Sequence, residues 1–280
     1  MLDTWPRTPA AGTLAVPGAR LYYERRGSGP VLLMIPGGAG DAGLYAGMAP
    51  GLAERFTVVS YDPRGLSRSP LDGPAGDQRT AEWADDAYRL LEVVSPDRPA
   101  YVLGSSSGAI VALELLARHP GRVRRVVAHE PPLVEVLADP APHRALFAEV
   151  REIFRARGAA PAMARFSEGL GGTPGEQPTE VAPEIREMAP RMHANLPFFL
   201  DRMLCPFTSS VPDLDALRKG ADRLVMAVGA DSRDQVPLSG PAARLAEALG
   251  TELAEFPGGH LGATEHPREF AARLVELLDA

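Results

Sequence analysis

The segment Tyr101-Val102-Leu103-Gly104-Ser105-Ser106-Ser107-Gly108-Ala109 decides the fold of this 280-residue chain. It passes from an apolar run to a helical pattern through a serine that has glycine two positions away on each side. This is the G-x-S-x-G turn, in which a strained strand-to-helix junction exposes a nucleophilic serine. Only Ser106 of the three consecutive serines has both glycines, so we predict that Ser106 is the nucleophile. A serine-rich surface turn is the alternative, and the flanking strand and helix disfavour it.

Short apolar runs on both sides of this turn have the composition of strands that are buried on both faces. Stretches with helical length and spacing lie between them, among them residues 109–117, 241–249 and 267–278. This alternation predicts right-handed β-α-β crossovers and an α/β fold with a mostly parallel central sheet and helices on both faces. The predicted strands are residues 21–25, 31–35, 56–60, 101–103, 123–129, 224–228 and 252–256.

From about residue 133 to residue 216 the pattern becomes helical, with amphipathic stretches at residues 143–157 and 183–204 and no convincing strand. A helical block between two strands of one sheet predicts a cap, inserted after strand 6, over the carboxyl edge of the sheet. Open α/β sheets bind ligands at that edge. We therefore predict a core domain of residues 1–132 and 217–280 and a cap domain of residues 133–216.

A glycine-rich loop, Pro36-Gly37-Gly38-Ala39-Gly40, follows the predicted strand 31–35. Acyl transfer needs preorganised N–H donors for the oxyanion that forms. We assign this role to the N–H groups of Gly38 and of Ser107, which begins the helix after the nucleophile. A phosphate-binding loop is the alternative, but neither a P-loop lysine nor a G-x-G-x-x-G pattern is present.

A serine hydroxyl needs a general base, and His260 is the best placed of the six histidines. It lies in a glycine-rich loop between a late predicted strand and the last predicted helix, after the nucleophile in chain order. His119, His193 and His266 lie on or beside helices, and His129 lies within a strand.

Three carboxylates are candidates for the acid that orients the base. Asp231 and Asp234 follow strand 224–228, the commonest location, but the usual position in that loop holds Ser232. Glu130 ends strand 123–129, and the two prolines after it keep the chain extended at the carboxyl edge. We favour Glu130 and keep Asp231 and Asp234 as alternatives; a solvated strand-end carboxylate is the other interpretation of Glu130.

Composition narrows the class of partner. The net charge is −7 and no basic cluster occurs, so nucleic acid is an unlikely partner. Cys205 is the single cysteine, which excludes an intramolecular disulfide or a cysteine metal cluster and favours the cytoplasm. The amino terminus lacks the pattern of a signal peptide, and no apolar run reaches the roughly 20 residues of a membrane span. We expect no membrane association, no metal and no organic cofactor. The sequence leaves open whether the protein forms a homodimer.

The chain resembles the α/β-hydrolase family along nearly its whole length. Residues 61–69, Tyr-Asp-Pro-Arg-Gly-Leu-Ser-Arg-Ser, are similar to that family's D-x-R-G-x-G-x-S segment, with Ser67 at the second glycine, and Pro36 replaces the usual histidine before the oxyanion glycines. The resemblance is greatest to the zearalenone lactonases, which open a mycotoxin macrolactone. The matching segments are residues 22–24, 104–109, 129–132, 213–218, 257–260 and 266–267.

This resemblance implies an acid at Glu130 and a small-molecule lactone or ester as substrate, and the apolar side chains of the cap predict that this substrate is apolar and fairly bulky. Phe199 falls where the lactonases place a cap tryptophan against the substrate. The expected substrate-binding residues are Phe199, Phe198, Leu133, Met192 and Met203; an apolar cap core is the alternative for such side chains. Other functions on this triad are a carboxylesterase, a carbon–carbon hydrolase, a cofactor-free haloperoxidase or, without catalysis, a receptor-like binding protein. An epoxide hydrolase or dehalogenase would need an acid at position 106.

Overall fold

A computed structural model describes residues 9–171, 183–233 and 235–279 of the chain. Eight strands form one sheet in the order β1-β2-β4-β3-β5-β6-β7-β8. β1 pairs antiparallel with β2, and β2 pairs antiparallel with β4, whereas all other neighbours are parallel. The strands are β1 Ala10–Val16, β2 Ala19–Arg26, β3 Val31–Ile35, β4 Thr57–Tyr61, β5 Ala100–Ser105, β6 Val123–His129, β7 Leu224–Gly229 and β8 Glu252–Phe256.

Helices cover both faces of this sheet. Six of the described helices belong to the part around the sheet: α1 Ala49–Leu52, α2 Thr80–Val94, α3 Ser107–Arg118, α9 Val236–Leu249, α10 Gly262–Glu265 and α11 Pro267–Asp279. The remaining helices lie between β6 and β7: α4 Ala141–Arg157, α5 Ala159–Gly169, α6 Pro183–Phe198, α7 Leu204–Thr208 and α8 Leu214–Arg218. The predicted α/β fold with a helical insertion after strand 6 is confirmed.

The apolar core is divided by the sheet, as the alternation of side chains along β3 shows. Leu33 and Ile35 pack with the side of α2, α3 and α9, and Leu32 and Met34 pack with the side of α1 and α11. All five residues of β3 are buried. The continuous apolar run at 31–35 is therefore explained by a central strand that faces helices on both sides.

β1 has no counterpart among the predicted strands. Its sequence, AAGTLAV, is rich in alanine and glycine, which have weak strand propensity, and most of its residues are exposed or half-buried. It is a strand because Ala10–Val16 pairs along its whole length with β2 at the edge of the sheet.

A π-helix, Phe199–Met203, joins α6 to α7. Pro206 in α7 lacks the N–H that would bond to the carbonyl of Arg202 in an α-helix. That carbonyl accepts the N–H of Gln78 at 2.9 Å instead. Because this bond is missing, the helix can widen here into a π-turn. The wider turn places Phe199 and Met203 toward the carboxyl edge of the sheet.

Candidate active site

Ser106 stands at a strained turn between β5 and α3. Its backbone has φ 55° and ψ −124°, a region that residues with a side chain rarely adopt. The N–H of Ser106 donates to His129 O at 2.8 Å, and its carbonyl accepts the N–H of Ala109 at 2.9 Å. These bonds to the neighbouring strand and to the first turn of α3 hold Ser106 in its strained backbone conformation. Such strain is typical of the turn that presents a serine nucleophile.

Glycine is required on both sides of this turn because backbone atoms pack directly against it. A Cβ on Gly104 would lie 2.3 Å from Gly108 O, and one on Gly108 would lie 2.2 Å from Ile35 O. Both distances are far below van der Waals contact. The two glycines therefore let β5, α3 and the end of β3 approach closely enough to place Ser106 beside the glycine-rich loop.

Glu130 and His260 are in direct contact although 130 residues separate them in the chain. The Nδ1–H of His260 donates to Glu130 Oε2 at 2.6 Å, and the Gly229 N–H donates to Glu130 Oε1 at 2.8 Å. The Glu130 side chain is fully buried, and its backbone has φ 48°. Like Ser106, it is a non-glycine residue held in the left-handed region at the carboxyl edge of the sheet.

The surroundings of Glu130 favour its ionised form. Burial alone would raise the pKa of this carboxyl, but the hydrogen bond from His260, the neighbouring imidazoles and the Gly229 N–H outweigh it and hold the pKa below its ordinary value. The charged carboxylate accepts a hydrogen bond from the Nδ1–H group, so Nε2 is the acceptor nitrogen of the imidazole in its neutral form. That tautomer is the one a general base needs.

The two alternative acids are placed differently. Asp231 is exposed, and its N–H donates to Gly258 O at 3.0 Å. Ser232, at the usual acid position, is fully buried, and its hydroxyl has no hydrogen-bond partner among the described residues. Asp234 lies outside the described residues. The structure thus brings Glu130 to His260 and, among the described residues, no carboxylate from the loop after β7.

Ser106 and His260 line one cavity of about 380 Å³. Among the described residues no hydrogen bond joins Ser106 Oγ to His260; in the absence of substrate, such a bond is not required of a candidate nucleophile and base. The remaining walls are almost wholly apolar: Pro132, Phe147, Phe166, Phe199, Met203, Leu204, Phe207 and Leu238, with Ser107 and Thr208 as further polar residues.

Of the expected substrate-binding residues, Phe199 and Met203 line this cavity and three others do not. Phe198 covers Gly65, where a Cβ would lie 2.3 Å from its ring. Leu133 is buried against α3 beside a smaller second cavity, and Met192 packs against the core. Successive helical residues point in different directions, so Phe198 and Phe199 cannot both face the site.

Sequence reasoning missed Phe147, Phe166 and Leu238, which come from α4, α5 and α9. Phe147 lies on the apolar side of a predicted amphipathic helix, which is the one signal the sequence contained. Phe166 packs edge-on against Phe199 with ring centroids 6.1 Å apart. The cavity therefore owes its aromatic walls to the packing of separate helices.

The glycine-rich loop is fixed at both ends by polar contacts. Gly38 has φ 56°, and its N–H donates to Ser107 Oγ at 2.8 Å. On the far side, Asn195 of α6 donates to Ala39 O at 2.9 Å and accepts the Ser67 N–H at 2.8 Å. Fully buried Asp41 accepts the Ser67 hydroxyl at 2.9 Å. Helix α6 and the loop after β4 thus hold the glycine-rich loop directly.

Arg191 completes this contact from the same helix. Its Nη2 donates to Asp41 Oδ1 at 3.2 Å, and its Nε donates to Oδ2. Burial would raise the pKa of Asp41, but Arg191, the Gly43 N–H and the Ser67 hydroxyl together hold it below its ordinary value. Because Asp41 stays charged, α6 is tied to the loop by an ion pair between a buried carboxylate and a partly exposed guanidinium.

Two further properties bear on the kind of site. Within the described ranges, no group of three or more histidine, cysteine, aspartate or glutamate side chains is arranged to hold a metal ion. No helix in those ranges has the length and apolar character that crossing a membrane requires.

Comparisons with known proteins agree with this architecture. The sequence model of the α/β-hydrolase fold family matches residues 30–170. An uncharacterized hydrolase of Bacillus subtilis (strain 168), YraK, is 36% identical over 279 residues, covering 96% of each chain. The chain therefore belongs to the α/β-hydrolase fold family, and the prediction of a hydrolase with this fold is confirmed.

Solved structures resemble the fold at lower sequence identity. A hydrolase from Pseudomonas aeruginosa PA01 has a TM-score of 0.73 at 22% identity, over 96% of this chain and 98% of that chain. The enol-lactonase from Burkholderia xenovorans LB400 has a TM-score of 0.67 at 19% identity, over 96% and 100% of the two chains. At this identity the likeness concerns the fold, since unrelated activities share it.

Proposed function

We propose that the protein is a serine hydrolase that cleaves an uncharged lactone or ester, most specifically a macrolactone of the zearalenone type. The observation that carries this proposal is the 2.6 Å contact of Glu130 with His260, beside the apolar cavity that both His260 and strained Ser106 line. Nucleophile, base and orienting acid are the three groups that acyl transfer needs.

In the first half-reaction His260 Nε2 takes the proton of Ser106 Oγ as that oxygen bonds to the carbonyl carbon. The carbonyl electron pair moves onto oxygen, and the backbone N–H of Ser107 at the start of α3 stabilises the negative charge. Glu130 stabilises the imidazolium. When the intermediate collapses, the C–O bond to the leaving alkoxide breaks, and His260 returns the proton to that oxygen.

In the second half-reaction water attacks the acyl-enzyme. His260 takes one proton of the water while its oxygen bonds to the acyl carbon, and the bond to Ser106 Oγ then breaks with return of the proton to Ser106. For a lactone the product is one hydroxy acid, because the leaving alcohol stays attached to the acyl chain. No step requires a metal or an organic cofactor.

The walls of the cavity define the substrate class. Among the described residues, no Lys, Arg, Asp or Glu lines the cavity. Burying a charged substrate group against these apolar walls would be strongly unfavourable. Four phenylalanines line the cavity, and aromatic rings pack edge-on or offset against them favourably. A neutral substrate with an aromatic or bulky apolar acyl part fits these walls best, and the resorcylic ring of zearalenone is such a group.

The test is hydrolysis of zearalenone beside p-nitrophenyl esters of acetate, butyrate, benzoate and succinate, with Ser106→Ala as the inactive control. We expect turnover of zearalenone and of the neutral esters and little turnover of the anionic succinate ester. Turnover of the short neutral esters alone would remove the lactonase assignment and leave a carboxylesterase. Failure on every ester would direct attention to carbon–carbon hydrolysis, halide oxidation or ligand binding without catalysis.

A further inference from the structure

The Ser107 hydroxyl contacts the glycine-rich loop beside the cavity that Ser106 and His260 line. Its Oγ accepts the Gly38 N–H at 2.8 Å, and Ser107 lines the cavity together with Ser106 and His260. The N–H that the sequence assigns to the oxyanion hole is thus bonded to a side chain. A substrate oxygen could reach Gly38 only by displacing this hydroxyl.

The Ser107 hydroxyl keeps one unused hydrogen. A serine hydroxyl has one donor and two acceptor positions, and the bond from Gly38 occupies an acceptor position. In the part of the chain that the structure describes, Ser107 Oγ donates to no group, and the Ser107 N–H has no backbone or side-chain acceptor. Two free donors of one residue therefore adjoin a cavity whose walls are otherwise mostly apolar.

The bond from Gly38 also strengthens this donor. An oxygen that accepts a hydrogen bond polarises its own O–H, and the effect is larger in a low-dielectric surrounding. Ser107 is the first residue of α3, a helix of 12 residues, so the partial positive charge of the helix end acts on the same point. Both effects favour a negative charge that develops beside Ser107.

We infer that the Ser107 hydroxyl is itself an oxyanion donor, and that Gly38 acts through it. This inference rests on the proposed function. As Ser106 Oγ bonds to the carbonyl carbon and its proton passes to His260, the carbonyl electron pair moves onto oxygen. That oxygen receives the N–H and the Oγ–H of Ser107, and the Gly38 N–H holds the hydroxyl in place. On collapse the pair returns to the carbonyl and the bond to the leaving alkoxide breaks.

Ser107→Ala tests this directly, because it removes the hydroxyl and keeps the backbone N–H. Removal of one oxyanion donor lowers kcat by about 10²–10³-fold. We expect a loss of that size in kcat for p-nitrophenyl butyrate, with KM and Tm close to those of the wild type. Inhibition by phenylboronic acid, which forms a tetrahedral adduct on the serine, should weaken markedly. Binding of neutral phenol, which has no oxyanion, should not change.

Ser105→Ala is the matched control. It removes a hydroxyl from the adjacent residue, which is buried in β5 and has no hydrogen-bond partner among the described residues. We expect its kcat to stay within about twofold of the wild type, well below the donor effect. Should Ser107→Ala fail to fold, Ser107→Cys replaces it, since the thiol keeps the size and is a weak donor; a large loss of kcat is again expected.

A kcat for Ser107→Ala equal to or above that of the wild type would overturn the inference. It would mean that the hydroxyl only occupies the Gly38 N–H and that the substrate oxygen takes its place. The proposed function is judged separately. If the wild type and Ser105→Ala both hydrolyse the ester, and a fluorophosphonate labels both at Ser106, the proposal of a serine hydrolase is supported whatever the result at Ser107.

Discussion

Replacing Glu130 by glutamine probes the acid of the proposed triad with little change in shape. The amide oxygen can still accept the Gly229 N–H, which lies 2.8 Å from the present carboxylate. The amide is neutral, however, and it can turn its NH₂ group toward the Nδ1 of His260. The wrong tautomer of the base and the loss of charge then act together.

The distance gives the size of the effect. The carboxylate oxygen lies 2.6 Å from Nδ1, so the charges of the carboxylate and the imidazolium are about 4 Å apart. At an effective dielectric constant of about 20, that attraction is about 4 kcal/mol. One factor of ten in rate corresponds to about 1.4 kcal/mol, so we expect kcat to fall about 10³-fold.

The assay is kcat and KM on p-nitrophenyl butyrate, with Tm measured on the same samples. Glu130→Gln should lose kcat and keep most of its affinity for substrate, because the carboxylate is not among the cavity walls. Asp231→Asn is the matched control, since it makes the same chemical change at an exposed position of the alternative loop. A nearly active Glu130→Gln beside an inactive Asp231→Asn would refute the reasoning.

Three further predictions concern the walls, the core and the oxyanion loop. Phe199→Ala should raise KM for a benzoate ester about fivefold, as expected for loss of about 1 kcal/mol of aromatic packing, whereas Phe198→Ala should not; equal effects would contradict this. Burial lowers the pKa of His129 to about 4 from 6.5. As the pH falls, the unfolded chain therefore binds a proton at His129 before the folded chain does. The contribution of neutral His129 to the free energy of unfolding should be full above about pH 6.5 and should decrease by about 2–3 kcal/mol toward pH 4. Urea unfolding of His129→Leu should show a smaller fall than the wild type; the same fall would contradict it. Asn195→Ala should lose about 3 kcal/mol of stability and part of kcat, because three hydrogen bonds, one to Ala39 and two to Ser67, are lost. His193→Ala, at an exposed position of the same helix, should change neither, and equal Tm values for both variants would refute the effect.

The sequence predicted the central strands well because a strand that is buried on both faces has a distinct composition. β6 and β8 begin and end at the predicted residues. The start of α9 was predicted five residues late, since Pro241 was taken as its first turn. The helix begins with Pro237 near its start and contains Pro241 as an interior residue. A proline alone does not distinguish the two positions.

The candidate site was predictable where one residue type at one place in the chain determines the chemistry. Ser106 follows from its glycines, His260 from its loop, and Glu130 from the end of its strand. The walls of the cavity were not predictable, because Phe147 and Leu238 reach it only through the packing of helices that are distant in sequence. The division into a core domain and a cap domain at residues 133–216 stays a prediction.

The Ser107 side chain shows the same limit at atomic scale. The sequence indicates that Ser107 is the first residue of a helix, and so suggests its backbone N–H as a hydrogen-bond donor. Its hydroxyl acquires a role only from Gly38, which is 69 residues earlier and is brought near by β3 and β5 pairing in parallel.

The most direct test of the account is whether Ser106 reacts as an activated nucleophile. Intact-mass measurement after treatment with a fluorophosphonate should show one adduct per chain, and peptide mapping should place it on Ser106. Ser106→Ala should take up none, and Ser105→Ala should be labelled like the wild type. An unlabelled wild-type protein, or an adduct that persists in Ser106→Ala, would contradict the assignment of Ser106 as the nucleophile.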